Sequence, residues 1–315
     1  MPKEMNKSPC LYIVVPCYNE EKTIPIFYDE ILRILPSLPH KDIKFIFVDD
    51  GSSDNTLQVV KHLASKDERV KYISFSRNFG KESAIYAGLQ HATGDFVVVM
   101  DADLQDPPSL LPEMYNAILS GEYDSVATRR VTRSGEPPIR SFFARKFYQC
   151  FNKMSKIPLT SGARDYRFMT RRFVDAILAM KEYNRFSKGL FSWVGFKTKW
   201  LEFENVERVA GETKWSFWGL LKYAILGITS FTTFPLLLAT FVGIAMLFAS
   251  IFLLAYKAIF CEAVGSVALI FATVLFASGA ILVALGVIGQ YLSQIFTEIK
   301  SRPVYLVGDS NIKSH

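Results

Sequence analysis

The chain has 315 residues, with 36 Lys and Arg against 30 Asp and Glu and a net charge of +6. Its four cysteines (Cys10, Cys17, Cys150, Cys261) and four histidines show no paired-cysteine motif, no metal-ligand spacing and no triad, which argues against a disulfide-stapled scaffold and a zinc site. Charge is unevenly spread. None falls between Tyr223 and Tyr256 or between Ala263 and Thr297, and each run exceeds the roughly 20 apolar residues that a bilayer core needs.

In chain order, the first part reads as alternating strands and helices. Leu11–Val15 is a strand, and Thr23–Leu35 carries Ile24, Phe27, Ile31 and Leu35 at helical spacing. Lys44–Val48 is a strand that ends in Asp49-Asp50-Gly51. Thr56–Ala64 is a helix capped by Ser53 or Asp54. Val70–Phe75 is a strand, Lys81–His91 a helix, Asp95–Met100 a strand, Ser109–Leu119 a helix and Ser125–Ala127 a short strand. This alternation predicts an α/β fold with a mostly parallel, doubly wound sheet. Three strand ends, Pro16–Glu20, Asp49–Gly51 and Asp101–Asp103, then share one edge, where open α/β sheets bind ligands.

The apolar run Phe96–Met100 stops abruptly at Asp101-Ala102-Asp103-Leu104-Gln105, followed by Asp106 and two prolines. Asp101, Asp103 and Gln105 are spaced two apart and offer hard oxygen ligands to Mg²⁺ or Mn²⁺, whose shell substrate phosphates would complete. Nearby, Tyr18 can stack on a base, Asp50 can accept from a base N–H, and Glu20 can accept from ribose hydroxyls. The glycine patterns of dinucleotide folds and P-loops are absent. Acids and a metal suit a nucleotide sugar used as glycosyl donor.

Arg129 to Lys156 holds eight basic residues against Glu136 alone, interleaved with aromatics. Phe143, Phe147, Phe151 and Met154 form an apolar stripe, which predicts an interfacial helix at about 138–155. Arg129, Arg140, Arg208 and Lys214 are candidates for gripping a lipid phosphate, because guanidinium forks match phosphate oxygens. Residues 1–214 therefore read as a catalytic domain and 215–232 as an interfacial helix. Residues 233–297 read as two spans, about 234–256 and 264–292, divided from the preceding helix near Pro235, and 298–315 as a tail. Basic residues flank the outer ends of the pair, whereas Lys257 in the linker is offset by Glu262. The positive-inside rule then predicts a multi-pass protein of the cell membrane, with the catalytic domain and both termini cytoplasmic. Beside such spans the basic patches point to lipid, with no nucleic-acid partner.

At these motifs the chain strongly resembles glycosyltransferase family 2, of GT-A fold, and within it the polyprenyl-phosphate branch of bactoprenol glucosyltransferases and dolichol-phosphate mannose synthases. The matching pieces are V-P-C-Y-N-E at 15–20, V-D-D-G-S-S-D at 48–54, S-R-N-F-G-K-E-S-A at 76–84 and D-A-D-L-Q-D-P-P at 101–108. Asp165-Tyr166-Arg167 and R-V-A-G-E-T-K-W at 208–215 also match, and the Q-x-x-R-W signature of processive synthases is absent. The resemblance implies that Pro16, Tyr18, Asn19, Glu20, Asp50, Lys81, Asp101 and Ala102 bind the nucleotide sugar. It implies that Asp101, Asp103 and Gln105 serve the metal, Mn²⁺ or Mg²⁺, and that Asp103 and Asp165 are catalytic, Asp165 as base or as organiser. It further implies transfer of a hexose, glucose from UDP-glucose in the first place, to undecaprenyl phosphate with inversion, and a homo-oligomer, with a tetramer among the options. UDP-N-acetylhexosamine and GDP-mannose are the alternative donors. A catalytically inactive nucleotide-sugar-binding scaffold is disfavoured by the intact Asp101-x-Asp103 and Asp165.

Overall fold

The computed structural model of the protein describes residues 9–39, 42–131, 138–155, 157–204, 217–260 and 266–312. The described chain opens with β1 (Leu11–Cys17), α1 (Thr23–Ile34), β2 (Ile43–Asp49), α2 (Thr56–Lys66), β3 (Val70–Phe75), α3 (Lys81–His91), β4 (Phe96–Val99), α4 (Leu111–Leu119) and β5 (Ser125–Arg130). It continues with α5 (Pro138–Met154), β6 (Ala163–Thr170), α6 (Arg171–Ala179), α7 (Ser187–Trp193) and β7 (Thr198–Phe203). The remaining elements are α8 (Phe217–Phe231), α9 (Phe234–Phe260), α10 (Ser266–Ile299) and a last strand, β8 (Val307–Ser310).

Eight strands form one sheet in the order β7-β5-β6-β4-β1-β2-β3-β8. The pairs β1·β2, β1·β4, β2·β3 and β5·β7 are parallel, as the alternation predicts, while β4·β6, β5·β6 and β3·β8 are antiparallel. Both faces of the sheet are covered. Strand side chains alternate between faces, so Leu11, Ile13 and Val15 of β1 join Phe27 of α1 and Phe45 and Phe47 of β2 in one core. Tyr12 and Val14 join Ile46, Val48 and the apolar face of α3 in the other. Ile24, Phe27 and Ile31 are all buried, so the apolar spacing of α1 is its packing stripe. At the start of α2 the Asp54 carboxylate accepts the Thr56 N–H at 3.0 Å; Ser53 instead donates its own N–H to Asn19.

Between β7 and β8 the described residues lie outside the sheet. Among the described residues, Thr273–Ile299 is long and apolar enough to cross a membrane. Ala224–Phe231 with Phe234–Met246 passes the same test as a pair bent by 82°. The bend falls at Thr232-Thr233, with Pro235 in the first turn of α9, where its missing N–H breaks no helical bond. Leu238, Phe241, Phe248 and Phe252 of α9, and Phe271, Leu275, Leu282 and Val283 of α10, are exposed, leaving these helices apolar toward their surroundings. The tail does not hang free: β8 pairs with β3, so the chain re-enters the same sheet it left.

Part of the expected apolar stripe of α5 packs on protein. Phe151 is fully buried, and Phe147 and Phe151 pack with Phe186 and with Phe231 of α8. α8 supplies the apolar partner Phe231.

Candidate active site

β1 ends at Cys17 beside Asp49 of β2, and β4 leaves the sheet after Val99, opposite Val14. Because the three strands are parallel, Pro16–Glu20, Asp49–Gly51 and Asp101–Asp103 emerge at one edge. β6 arrives from the opposite direction. Val99 pairs with Arg167, so the beginning of β6 at Ala163–Asp165 runs on past the end of β4 and delivers Asp165 to the same place.

These loops enclose a cleft of about 350 Å³. Of the predicted residues, Pro16, Tyr18, Glu20, Asp50, Lys81, Asp101, Ala102 and Asp103 line it, together with Cys17, Asn78, Gly80 and Ala84. Tyr18 keeps 36% of its surface exposed at the rim, and the Glu20 carboxylate accepts from the Thr23 hydroxyl at 2.5 Å. Asn19 sits behind the wall as a clamp: its φ is 53°, and its Oδ1 accepts the Ser53 N–H at 2.8 Å. Asn tolerates this left-handed conformation better than most residues.

Lys81 joins the chemistry of the cleft. Its Nζ lies 2.7 Å from the Asp101 carboxylate and 2.5 Å from Asp165 Oδ2. As first residue of α3, it places a cation where the helix dipole disfavours one. Burial also acts against its charge, but Asp101 and Asp165 outweigh it and hold the ammonium above its ordinary pKa. Burial pushes Asp165 the other way, and Lys81 and Lys188 overcome it, holding this carboxyl below the usual carboxylate range.

Asp50 has a duty that its sequence position did not reveal. It is 3% exposed, and its oxygens accept the Phe79 N–H at 2.6 Å and the Gly80 N–H at 2.9 and 3.1 Å. The carboxylate therefore pins the Ser76–Gly80 loop, with one edge left toward the cleft. Gly51 follows it at φ 65°, and a Cβ there would lie 2.4 Å from the Arg77 carbonyl carbon, so no larger residue fits between the two loops. Burial pushes Asp50 up from 3.8 to about 6 against these hydrogen bonds. A raised pKa in the folded state favours folding below the unfolded value and loses that contribution as pH rises through the folded one. Asp50 is thus expected to withdraw up to about 3 kcal/mol of stability as pH rises from about 4 to about 6. Asp50→Asn should flatten that window, read as the difference between the two proteins' thermal unfolding curves from pH 4 to 8. Parallel curves would contradict the assignment.

The segment after Asp103 is strained. Leu104 has φ 56°, a conformation rare outside Gly, Asn and Asp, and Gln105 donates its backbone N–H to Asp103 Oδ1 at 3.1 Å. Gln105 does not line the cleft with the two aspartates. Asp106 is buried and accepts from Arg164 Nε at 2.7 Å; burial pushes its carboxyl up to about 6 against the pull of Arg164. Arg129 does not reach into the cleft either. Its guanidinium donates to Glu202 of the neighbouring strand β7. Arg140 lies within α5, its side chain outside the described residues, as are Arg208 and Lys214 altogether.

Three participants were not singled out from the sequence. Lys188 acts on Asp165, Arg164 anchors Asp106, and Glu82 accepts the Ser187 N–H at 3.0 Å, which locks the start of α7 to the start of α3. Arg164 and Glu82 adjoin motif residues Asp165 and Lys81, the one local signal that marked them. For Lys188 only the tertiary fold provides a signal.

Among the described residues no group of three or more His, Cys, Asp or Glu could hold a metal. Asp101 and Asp103 nonetheless offer hard carboxylate oxygens to one cleft. One or two carboxylates, with phosphate oxygens completing the shell, is the donor chemistry of Mg²⁺ or Mn²⁺, so the residues present fit such an ion.

Comparison with known proteins agrees with this arrangement. The family model for glycosyl transferase family 2 matches residues 12–178. The prophage bactoprenol glucosyl transferase homolog of Escherichia coli K12 is 38% identical over 299 residues, covering 94% of this chain and 97% of its own. The bactoprenol glucosyl transferase of Shigella phage SfII is 38% identical over 303 residues, covering 95% and 97%. An uncharacterised glycosyltransferase of Synechocystis sp. is 38% identical over 304 residues, covering 95% of each chain. With the mostly parallel sheet, the aspartate pair at the end of β4 and the match extending beyond the catalytic part, the chain belongs to glycosyltransferase family 2.

Proposed function

We propose that this protein transfers a hexose, glucose from UDP-glucose, to undecaprenyl phosphate or a similar polyprenyl phosphate at the cytoplasmic face of the membrane, with inversion at the anomeric carbon. The observation that carries the reading is the cleft in which Lys81 bridges Asp101 and Asp165 beside Tyr18 and Glu20. It occurs in a chain alike over nearly its whole length to proteins named bactoprenol glucosyl transferases. A membrane location is supported by the exposed apolar α9 and α10. The pairing of β8 with β3 returns the chain to the catalytic domain, which requires an even number of crossings and supports a hairpin.

In this mechanism Tyr18 stacks on the base, and Asp50 shapes the wall that receives it. Asp101 and Asp103 would hold Mn²⁺ or Mg²⁺, which when bound supplies charge neutralisation for the leaving nucleoside diphosphate. A phosphate monoester has its second pKa near about 6, so the acceptor is already largely dianionic at neutral pH and needs little general-base help. Asp165, held ionised by Lys81 and Lys188, is a poor proton acceptor and serves as organiser of Lys81. Lys81 sets positive charge beside the position where the diphosphate leaves. Arg129, Arg140, Arg208 and Lys214 remain the proposed grip on the lipid phosphate. A swing of Arg129 away from Glu202 would be required.

The test is a donor screen with the purified full chain in detergent. Undecaprenyl phosphate and Mn²⁺ or Mg²⁺ are supplied with UDP-glucose, UDP-N-acetylglucosamine, UDP-galactose or GDP-mannose in turn, and glycolipid is detected by mass. A metal-dependent product from UDP-glucose alone is the expected result. A product from another donor corrects the sugar, and no product from any donor overturns the reading.

A further inference from the structure

The Ser76–Gly80 loop is held from two sides. On one side Asp50 accepts its Phe79 and Gly80 N–H groups. On the other lies the segment that follows α10. The Ser76 N–H donates to the Leu306 carbonyl at 3.0 Å, and Ile73, Ser74 and Phe75 pair with Ser310, Asp309 and Val307. The Tyr305 ring stacks on Phe75 at 4.9 Å between centroids, and Phe75 meets Phe79 edge-on at 5.7 Å. The Tyr305 hydroxyl donates to Gln90 Oε1 at 2.9 Å, which fixes the ring over α3 as well. The far end of the strand is clipped by Asn311, whose side chain accepts the Tyr72 N–H at 2.7 Å and donates to the Val70 carbonyl at 3.2 Å.

The loop so held contributes Asn78 and Gly80 to the cleft and leads directly into Lys81. Phe79 is the joint: its ring rests on Phe75, and its N–H rests on Asp50. β8 is an edge strand of four residues, and Tyr305 and Ile312 on either side of it pack against the core. The contacts of this segment fall on β3, on Lys61 of α2, on Gln90 of α3 and on the Ser76–Gly80 loop, which lines part of the cleft.

We infer that the segment from Tyr305 to Asn311 is a strap that holds the donor-binding loop, and that Tyr305 is a positioning residue for the nucleotide sugar. Five residues, Lys300–Val304, join the end of α10 to the strap, so the strap is the covalent continuation of that helix. The inference rests on the reading of the cleft as a nucleotide-sugar site.

The test uses the full chain in detergent, with Tyr305→Ala and Tyr305→Phe beside the wild type. Amide hydrogen exchange at Phe79 and Gly80 is read without nucleotide, and KM and kcat are read with UDP-glucose. Tyr305→Ala is expected to speed exchange at these two amides about tenfold or more while β1, β2 and β4 stay protected. Loss of one aromatic stack should raise KM about two- to tenfold, with kcat within about twofold. Tyr305→Phe keeps the stack and should restore both. Unchanged exchange at Phe79 and Gly80 would overturn the strap, as would a fall in kcat with KM unmoved. If Tyr305→Ala does not fold, Asn311→Ala loosens the strand from its other end and is judged by the same two readings. If the wild type turns over no nucleotide sugar, the donor reading fails, and the exchange comparison alone decides whether the strap holds the loop.

Discussion

Replacing Lys81 by methionine is expected to lower the transfer rate by about 10²- to 10³-fold, the usual cost of removing one preorganised electrostatic group from an active site. Methionine matches the lysine stem and lacks its terminal nitrogen, so most of the packing at the start of α3 is kept and the charge is lost. The same substitution leaves Asp101 and Asp165 close together without their shared cation. Breaking a largely buried ion pair by removing one partner costs about 3 kcal/mol, and the loss should appear as a lower unfolding temperature at neutral pH. The sign of its pH dependence follows from Asp165. That carboxyl is held below its ordinary value in the folded wild type, so it contributes stability above the unfolded pKa and loses it as pH falls through the folded one. The gap between wild type and variant should therefore be full at neutral pH and shrink below about pH 4. Lys81→Arg keeps the charge but presents a planar fork in place of a point charge, and should recover the stability more completely than the rate. A rate within twofold of wild type for Lys81→Met would remove Lys81 from the mechanism.

The second large effect is expected at Asp103. It is 6% exposed and lies next to Leu104, whose backbone is left-handed. Asp103→Asn keeps the shape and an acceptor for the Gln105 N–H but removes one of two anionic donors that would hold a divalent ion. Neutralisation of a leaving diphosphate by a metal is worth several kcal/mol, so the rate should fall by about 10³-fold or more. Manganese binding, followed by electron paramagnetic resonance with UDP present, should weaken in step while the unfolding temperature changes little. Full manganese affinity in the variant would show that the ion is held elsewhere.

The two substitutions separate two kinds of charge. Lys81 is a resident cation whose partners, Asp101 and Asp165, are carried on strands of opposite direction. Asp103 belongs to the set that would recruit a cation with the substrate. Lys81 touches one member of the aspartate pair and the residue proposed as organiser. Lys81 therefore ties the loop after β4 to β6 within one cleft.

The central strands, the helix stripes and the acidic strand ends were legible in the amino-acid order because they depend on local periodicity and on burial from both faces. Val97, Val98 and Val99 can be nothing but interior, and a carboxylate that follows such a run must sit at the sheet edge. The gathering of Pro16, Tyr18, Asp50 and Asp101 follows from parallel strands alone. The apolar runs after Tyr223 were equally plain, since the absence of charge over such lengths leaves few other structures.

What local pattern could not convey was decided by pairings between distant residues. β6 mixes Arg164, Asp165 and Arg167 with apolar neighbours, so it reads as no clear strand; only its antiparallel seat beside β4 carries Asp165 into the cleft. Arg129 reads as a free cation until β7 brings Glu202 beside it, and Asp50 reads as a ligand alone until the Phe79 and Gly80 amides are seen to share its oxygens. β8 is four residues of weak strand character that become a strand because β3 offers an unpaired edge. Periodicity, burial and end-of-strand chemistry are properties of neighbouring residues and are written in sequence. Charge compensation and edge pairing join residues as far apart as Lys81 and Asp165, or Phe75 and Tyr305, and exist only once the chain has closed on itself.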